Sequence, residues 1–107
     1  MLSNPWAILF LAGLFEMGWA IGLKYTDGFT RLWPTVLTLV GALISFILLA
    51  QAMRTLPVGT AYAVWTGIGT LGTATLAVVL FGEPVTAIRI AGIAMIVAGI
   101  ATLKLAS

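Results

Sequence analysis

The sequence predicts an all-α membrane protein with four transmembrane helices in one domain, residues 1–107. Of the 107 residues, 62% are hydrophobic and only 7% are charged. Five basic and three acidic side chains cannot give a soluble domain of this size a polar exterior, so lipid must surround most of it. Four apolar segments are each about 20 residues long, the length that a helix needs to cross a bilayer. These runs do not alternate as strands do.

Each predicted helix follows from an apolar run and from the turn residues that bound it. The four helices are expected at about residues 4–23, 34–52, 58–81 and 86–105. Pro5 suits the opening turn of the first helix. Asp27-Gly28 marks a turn before the second helix, and Pro57 and Pro84 mark the later connections.

Several classes of function are excluded by residues that the sequence lacks. There is no Cys and no His, which removes thiolate and imidazole ligands and histidine acid–base chemistry. No triad, metal site or phosphate loop can be assembled, so we expect neither an enzyme nor a bound metal or cofactor. The net charge of +2 comes from scattered residues without a basic run, so no nucleic-acid partner is indicated.

The charges in the connections leave the orientation in the membrane nearly undecided. With four spans, Arg54 and Lys104 lie on one side, and Lys24, Arg31 and Arg89 lie on the other. Two against three is a weak bias under the positive-inside rule. Charge counting therefore leaves two alternatives open: one orientation chosen by a small bias, or insertion both ways to give an antiparallel pair.

Glu16 is the leading candidate for a functional residue, because it lies about midway along the first predicted span. A charged group at that depth is costly and usually functional. The alternative is a buried ion pair, but all five Lys and Arg residues lie in connections or near helix ends. A carboxylate that releases a proton and then holds a cation is the minimum requirement for proton–cation exchange.

Aromatic residues near Glu16 suit a cation. Trp19 and Gly13 lie three residues to either side of Glu16 and share its helix face. On the third helix, Tyr62 and Trp65 are also three residues apart, and aromatic faces attract cations. The alternative is that these rings belong to the aromatic belts at the membrane surfaces.

Small and hydroxylated residues extend these faces. Gly59, Thr66 and Gly69 continue the stripe of Tyr62 and Trp65 along the third helix. Ser45 lies mid-span on the second helix, where its hydroxyl can orient a carboxylate or bind a substrate N–H. A serine in a membrane helix more often bonds a carbonyl of its own helix.

Two glycine pairs have both a structural and a functional interpretation. Gly67 and Gly69 lie mid-helix and permit either a hinge or close helix packing. On the fourth helix, Gly92 and Gly99 are seven residues apart on one face, which forms either a packing seam within the chain or a dimer interface.

Taken together, these residues resemble the small multidrug resistance family, over essentially the whole chain. The motifs that carry the resemblance are GLFEMGW at 13–19, KY at 24–25, GFTRLWP at 28–34, LPVGTAYAVWTGIG at 56–69, and the pair Gly92 and Gly99. The guanidinium exporter subtype is the most similar, since Trp19 stands where the multidrug subtype has a small residue. Glu83-Pro84 and residues 99–105 also look like that branch.

The resemblance implies an antiparallel, dual-topology homodimer in which two copies of Glu16 form a shared site for protons and substrate. Trp19 and Ser45 would hold the Glu16 carboxylates by hydrogen bonds, and Tyr62 and Trp65 would wall the site. Gly92 and Gly99 would lie in the dimer interface.

The implied function is proton-coupled export of guanidinium or a similar small cation across the bacterial cytoplasmic membrane. One alternative is broader export of quaternary ammonium cations. A more distant one is a non-transporting or proton-carrying membrane subunit.

Overall fold

Four long helices make up nearly all of the computed structural model, which describes residues 4–106. They are α1 (Pro5–Tyr25), α2 (Leu32–Ala52), α3 (Val58–Phe81) and α4 (Ala87–Ala106). Each is long and apolar enough to cross a membrane. The predicted all-α architecture of four transmembrane helices is confirmed.

The helix ends differ from the predicted ones by at most two residues, and local interactions explain the differences. α2 begins at Leu32 rather than at Pro34, because a proline is tolerated anywhere in the first turn, where its missing N–H has no partner to lose. α1 begins after Asn4, whose side-chain oxygen accepts the Trp6 backbone N–H at 3.0 Å.

Thr26 organises the connection between α1 and α2. Its hydroxyl donates to the Leu23 carbonyl at 2.7 Å and accepts the Phe29 backbone N–H at 3.2 Å. Asp27, Gly28 and Phe29 all have positive φ angles, so the chain reverses tightly around the buried Thr26 side chain. This connection holds α1 and α2 as an antiparallel pair.

α1 lies at the centre of the chain and packs against both α2 and α3, whereas the backbone of α4 approaches only α3. No residue of α4 is buried. The buried core lies near the end where α1 begins, α2 ends and α3 begins; it comprises Ile8, Leu9, Ala12, Leu49, Ala52, Ala61, Val64 and Trp65. Beyond this core, towards the opposite end of the helix bundle, α1 and α3 leave a cavity between them.

Contacts at the helix ends show which connections share a side. The Lys104 ammonium lies 5.4 Å from the centre of the Trp6 ring, so α4 ends beside the start of α1. At the opposite end, the Lys24 ammonium lies 5.7 Å from the Phe81 ring, and Tyr25 packs against the same ring. The described chain therefore has the alternating order of ends on which the charge counting was based.

Candidate functional site

The Glu16 carboxylate packs directly against the backbone of α3 at Gly69. A Cβ atom built on Gly69 would overlap the Glu16 side chain, so no other residue fits there without moving the carboxylate. The Glu16 side chain is partly buried, and its Oε1 atom is enclosed without a hydrogen-bond partner in residues 4–106. The missing side chain at position 69 thus provides the space that the carboxylate occupies.

A cavity of about 340 Å³ begins at Glu16 and runs between α1 and α3. We call it the α1–α3 cavity; it is lined by Glu16, Trp19, Ala20, Gly69, Thr70, Thr73, Ala74, Ala77 and Glu83. Most of these residues are small, which leaves room for a small molecule, and the two carboxylates mark its two ends. An enclosed anionic group beside open space is suited to binding a proton or a small cation.

Within residues 4–106, no basic side chain forms an ion pair with Glu16. Among residues 4–106, the one ion pair joins Arg89 to Glu83. Lys24 lies in the last turn of α1 and Lys104 in the last turn of α4, so both are far along their helices from mid-membrane. The structure therefore agrees with the expectation that Glu16 has no basic partner at its own depth.

Ser45 joins three helices at the level of Ala12, one turn of α1 before Glu16. Its fully buried hydroxyl donates to the Ala12 carbonyl at 2.7 Å and accepts the Trp65 indole N–H at 2.9 Å. In an α-helix, the Ala12 carbonyl also accepts the backbone N–H of Glu16, one turn later. This chain of hydrogen bonds fixes the turn of α1 that carries Glu16 against α2 and α3.

A row of aromatic rings connects the α1–α3 cavity to this hydrogen-bonded cluster. Phe46 lies between the rings of Trp19 and Trp65, with centroid distances of 6.1 and 5.7 Å. Tyr62 continues the row at 5.4 Å from Trp65. Trp65 is buried, whereas Tyr62 is 55% exposed on the outer surface.

Within one chain, the five residues predicted to form the site fall into two groups. Glu16 and Trp19 line the cavity, whereas Ser45, Tyr62 and Trp65 do not. In residues 4–106 of a single chain, Ser45 donates its one proton to Ala12 and the Trp19 indole N–H is enclosed without a partner, so the hydrogen bonds to Glu16 expected in a dimer stay a prediction.

The three supporting positions have different surroundings. Gly13 lies against Ile68 of α3, where a Cβ would collide with that side chain. Gly59 is exposed, with no atom close to the position of a Cβ. The Thr66 hydroxyl is enclosed and has no hydrogen-bond partner in the described residues.

Gly67 and Gly69 are sites of close helix packing in an uninterrupted helix. Gly67 faces Ile96 and Ile100 of α4, and Gly69 faces Glu16 of α1. These contacts explain why both positions lack a side chain. A hinge would show as a change of the α3 bend between two conformations of the protein. The hinge at these glycines therefore stays a prediction.

Sequence reasoning missed four residues that the structure adds to the site: Phe46, Thr70, Thr73 and Glu83. A helical spacing of four residues from Gly69 leads to Thr73 and then Ala77, so the cavity-lining face of α3 was present as a signal. Glu83 was considered only as part of the last connection and of the resemblance to the guanidinium exporter branch. Nothing in the sequence marked Phe46, because the position of its ring between Trp19 and Trp65 depends on how α2 is rotated against α1.

The family model and the most similar proteins all point to one family of membrane transporters. A family model described as Small Multidrug Resistance protein matches residues 4–96. A protein named guanidinium exporter from Yersinia pseudotuberculosis is 59% identical over 102 residues, covering 95% of this chain and 98% of that protein. Proteins of the same name from Escherichia coli K12 and Proteus vulgaris are 56% and 55% identical, and the match covers 95% of this chain in both cases. It covers 97% of the E. coli protein and 98% of the P. vulgaris protein.

The contact between Glu16 and Gly69 predicts a coupled effect on stability. We expect Gly69→Ala to lower the free energy of unfolding by about 1–3 kcal/mol, because the added methyl group must displace an enclosed carboxylate. In a Glu16→Ala background, the same methyl group enters vacated space and should cost little. Unfolding in detergent micelles measures all four variants of this cycle.

Gly72→Ala is the matched control for this cycle, since its added methyl group meets the flexible end of Met17 instead. Its effect should be independent of Glu16→Ala. Equal coupling of both glycine variants to Glu16→Ala would contradict a specific contact at Gly69.

Proposed function

Because the chain belongs to the small multidrug resistance family, we propose that it exchanges protons for guanidinium or a closely related small cation. Export would proceed across the bacterial cytoplasmic membrane. The observation that carries the proposal is the enclosed Glu16 carboxylate, which has no basic partner in residues 4–106 and lies at the mid-membrane end of the α1–α3 cavity. The names and high identity of the bacterial relatives support guanidinium as the substrate.

The chemistry of guanidinium matches that of a carboxylate. Guanidinium is planar and presents paired N–H donors that bind both oxygens of a carboxylate, as an arginine side chain does. In a site of low polarity such a charge-assisted pair is strong. The small residues that line the cavity leave space for a compact cation beside Glu16.

Coupling follows from competition for one group. A proton on Glu16 removes the negative charge that holds the cation, and a bound cation prevents the proton from returning. If the site opens to one side of the membrane at a time, each cation that leaves must be replaced by protons. This competition requires no second ionisable residue beside Glu16.

The proposal includes an antiparallel homodimer. α4 has no buried residue, and neither Gly92 nor Gly99 has an atom close to the position of a Cβ, so a second copy can pack closely there. A second chain would supply another Glu16, and the two carboxylates would titrate as a coupled pair. Four helices from each copy would also enclose the polar site from lipid.

In this dimer, Trp19, Ser45, Tyr62 and Trp65 are proposed to complete the site. The unpaired indole N–H of Trp19 is available to a carboxylate or to a polar group of the second chain. Tyr62 is exposed beside Trp65 and can face the partner's cavity. Gly67 and Gly69 would permit α3 to change its bend as the site opens to alternate sides.

A second candidate is the export of quaternary ammonium cations. It is favoured by the three Ala residues and one Gly residue that line the α1–α3 cavity and leave room for an apolar tail. These cations have no N–H donors, so they would be held by charge and by aromatic faces alone.

Glu16→Gln should abolish coupled exchange, because a glutamine neither carries the negative charge nor releases the proton. The protein should remain folded and dimeric, since the two side chains have nearly the same shape. Guanidinium-driven proton movement in liposomes is the measurement. Asp27→Asn, a similar change at an exposed loop residue, should leave exchange intact. Transport by Glu16→Gln at the wild-type rate would refute the mechanism.

Trp19→Gly should reduce the preference for guanidinium over alkyl trimethylammonium by about tenfold. The indole lines the cavity, so its removal enlarges the space beside Glu16 and removes an N–H donor. The ratio of transport rates for the two cations in liposomes tests this. Trp33→Gly, at an exposed ring outside the cavity, is the control. An unchanged ratio in Trp19→Gly would assign selectivity elsewhere.

Insertion in both orientations should make both ends of the chain accessible from outside the cell. Because the sequence has no cysteine, Thr30→Cys and Thr55→Cys each introduce a single label on opposite sides. We expect an impermeant thiol reagent to label about half of each variant in intact cells. Complete labelling of one variant with none of the other would exclude dual insertion.

A further inference from the structure

We propose that Glu83, at the end of the α1–α3 cavity farther from Glu16, and the Pro84 carbonyl, on the α4 side of Glu83, form a second guanidinium-binding site. In the structure, the side chain of Arg89 occupies this site, and substrate displaces it on entering or leaving the cavity. The inference rests on the proposed function, because it concerns the same substrate. It adds a site at the membrane surface to the one at Glu16.

Arg89 shows how a guanidinium group binds at this position. One of its terminal nitrogens, Nη2, donates to Glu83 Oε1 at 2.9 Å, and the other, Nη1, donates to the Pro84 carbonyl at 3.0 Å. Two donors of one planar group thus meet a carboxylate and a carbonyl. A free guanidinium ion presents the same planar arrangement of N–H donors and can make the same two bonds.

The fold places these acceptors at the end of a helix. α3 ends at Gly82, whose φ of +67° turns the chain away from the helix axis. Glu83 and Pro84 follow at once, and Arg89 reaches back to them from the first turn of α4. The Pro84 carbonyl is therefore fixed by the backbone, whereas the Glu83 carboxylate is carried by a side chain that is 45% exposed, and Arg89 must move to free both acceptors.

Glu83 lines the same cavity as Glu16, whereas Pro84 and Arg89 line a neighbouring cavity between α3 and α4. Gly69, beside Glu16, and the end of α3 at Phe81 are separated by a rise of about 18 Å. Thr73 lines the cavity between them, and its hydroxyl is enclosed without a hydrogen-bond partner in the described residues. A cation that moves from Glu83 towards Glu16 can therefore donate a hydrogen bond to the Thr73 hydroxyl on the way.

The Arg89–Glu83 pair is exposed enough to be exchanged. The two side chains are 35% and 45% exposed, and ion pairs at such positions contribute little to stability. Free guanidinium can therefore compete with the tethered side chain. When Arg89 is displaced, Glu83 holds substrate at the entrance and raises its concentration near Glu16.

The test uses the full-length protein in liposomes, with transport rates measured against guanidinium concentration at low ionic strength. Glu83→Gln should raise KM about threefold or more while keeping most of the saturating rate. Arg89→Gln should lower KM, because the competing side chain is gone and Glu83 remains. Asp27→Asn and Arg31→Gln are matched charge changes in the first connection and should leave KM near the wild-type value.

Two transport results would overturn the proposal. One is a KM for Glu83→Gln no different from that of Asp27→Asn, which would reduce Glu83 to a surface charge. The other is a raised KM in Arg89→Gln, which would mean that the pair serves only to hold the start of α4.

A binding measurement separates this inference from the proposed function. In Glu16→Gln protein, where exchange is disabled, titration with guanidinium chloride should shift the side-chain NMR signal of Arg89. Tetramethylammonium chloride at equal ionic strength should not, because it has no N–H donors. An Arg89 signal that responds equally to both salts would overturn the second site. Continued exchange by Glu16→Gln would instead overturn the proposed function.

Discussion

The space left by the missing side chain at Gly69 is the constraint on which the other features of the site depend. It lets the Glu16 carboxylate lie against the backbone of α3, where one oxygen is enclosed without a partner. Because α1 and α3 meet closely at this point, the cavity opens only beyond it, towards Glu83. The acidic side chain therefore has a helix backbone on one side and open space on the other.

The two ends of the helix bundle are packed differently. Around Ser45, hydrogen bonds to Ala12 and from Trp65 tie three helices together inside the buried core. Towards the other end, small residues replace the large ones and the cavity separates α1 from α3. Glu16 lies at the boundary, so its backbone is held by the hydrogen-bonded core while its side chain lines the cavity.

The fold was largely predictable from the sequence, whereas the site was predictable only in part. Hydropathy and turn residues predict the helices to within two residues, since the length of a membrane span is set by the bilayer. That Glu16 and Trp19 line one cavity was foreseeable, because a charge in an apolar run and a shared helix face are visible in the sequence. The bonds of Ser45 were not, because they depend on how α2 is rotated and how deep it lies. Glu83 was missed for a related reason: its place at the cavity follows from the left-handed turn at Gly82.

The dependence of Glu16 on α3 also has a consequence for biosynthesis. The ribosome completes α1 and α2 before Gly69 exists, so Glu16 must enter the bilayer before its final surroundings are made. An acidic residue at the centre of an inserting helix costs about 3 kcal/mol, and each Ile, Leu or Phe returns about 0.5 kcal/mol. The eight such residues of α1 offset a cost of that size. Further polar residues in α1 would therefore impair membrane insertion before they could affect transport.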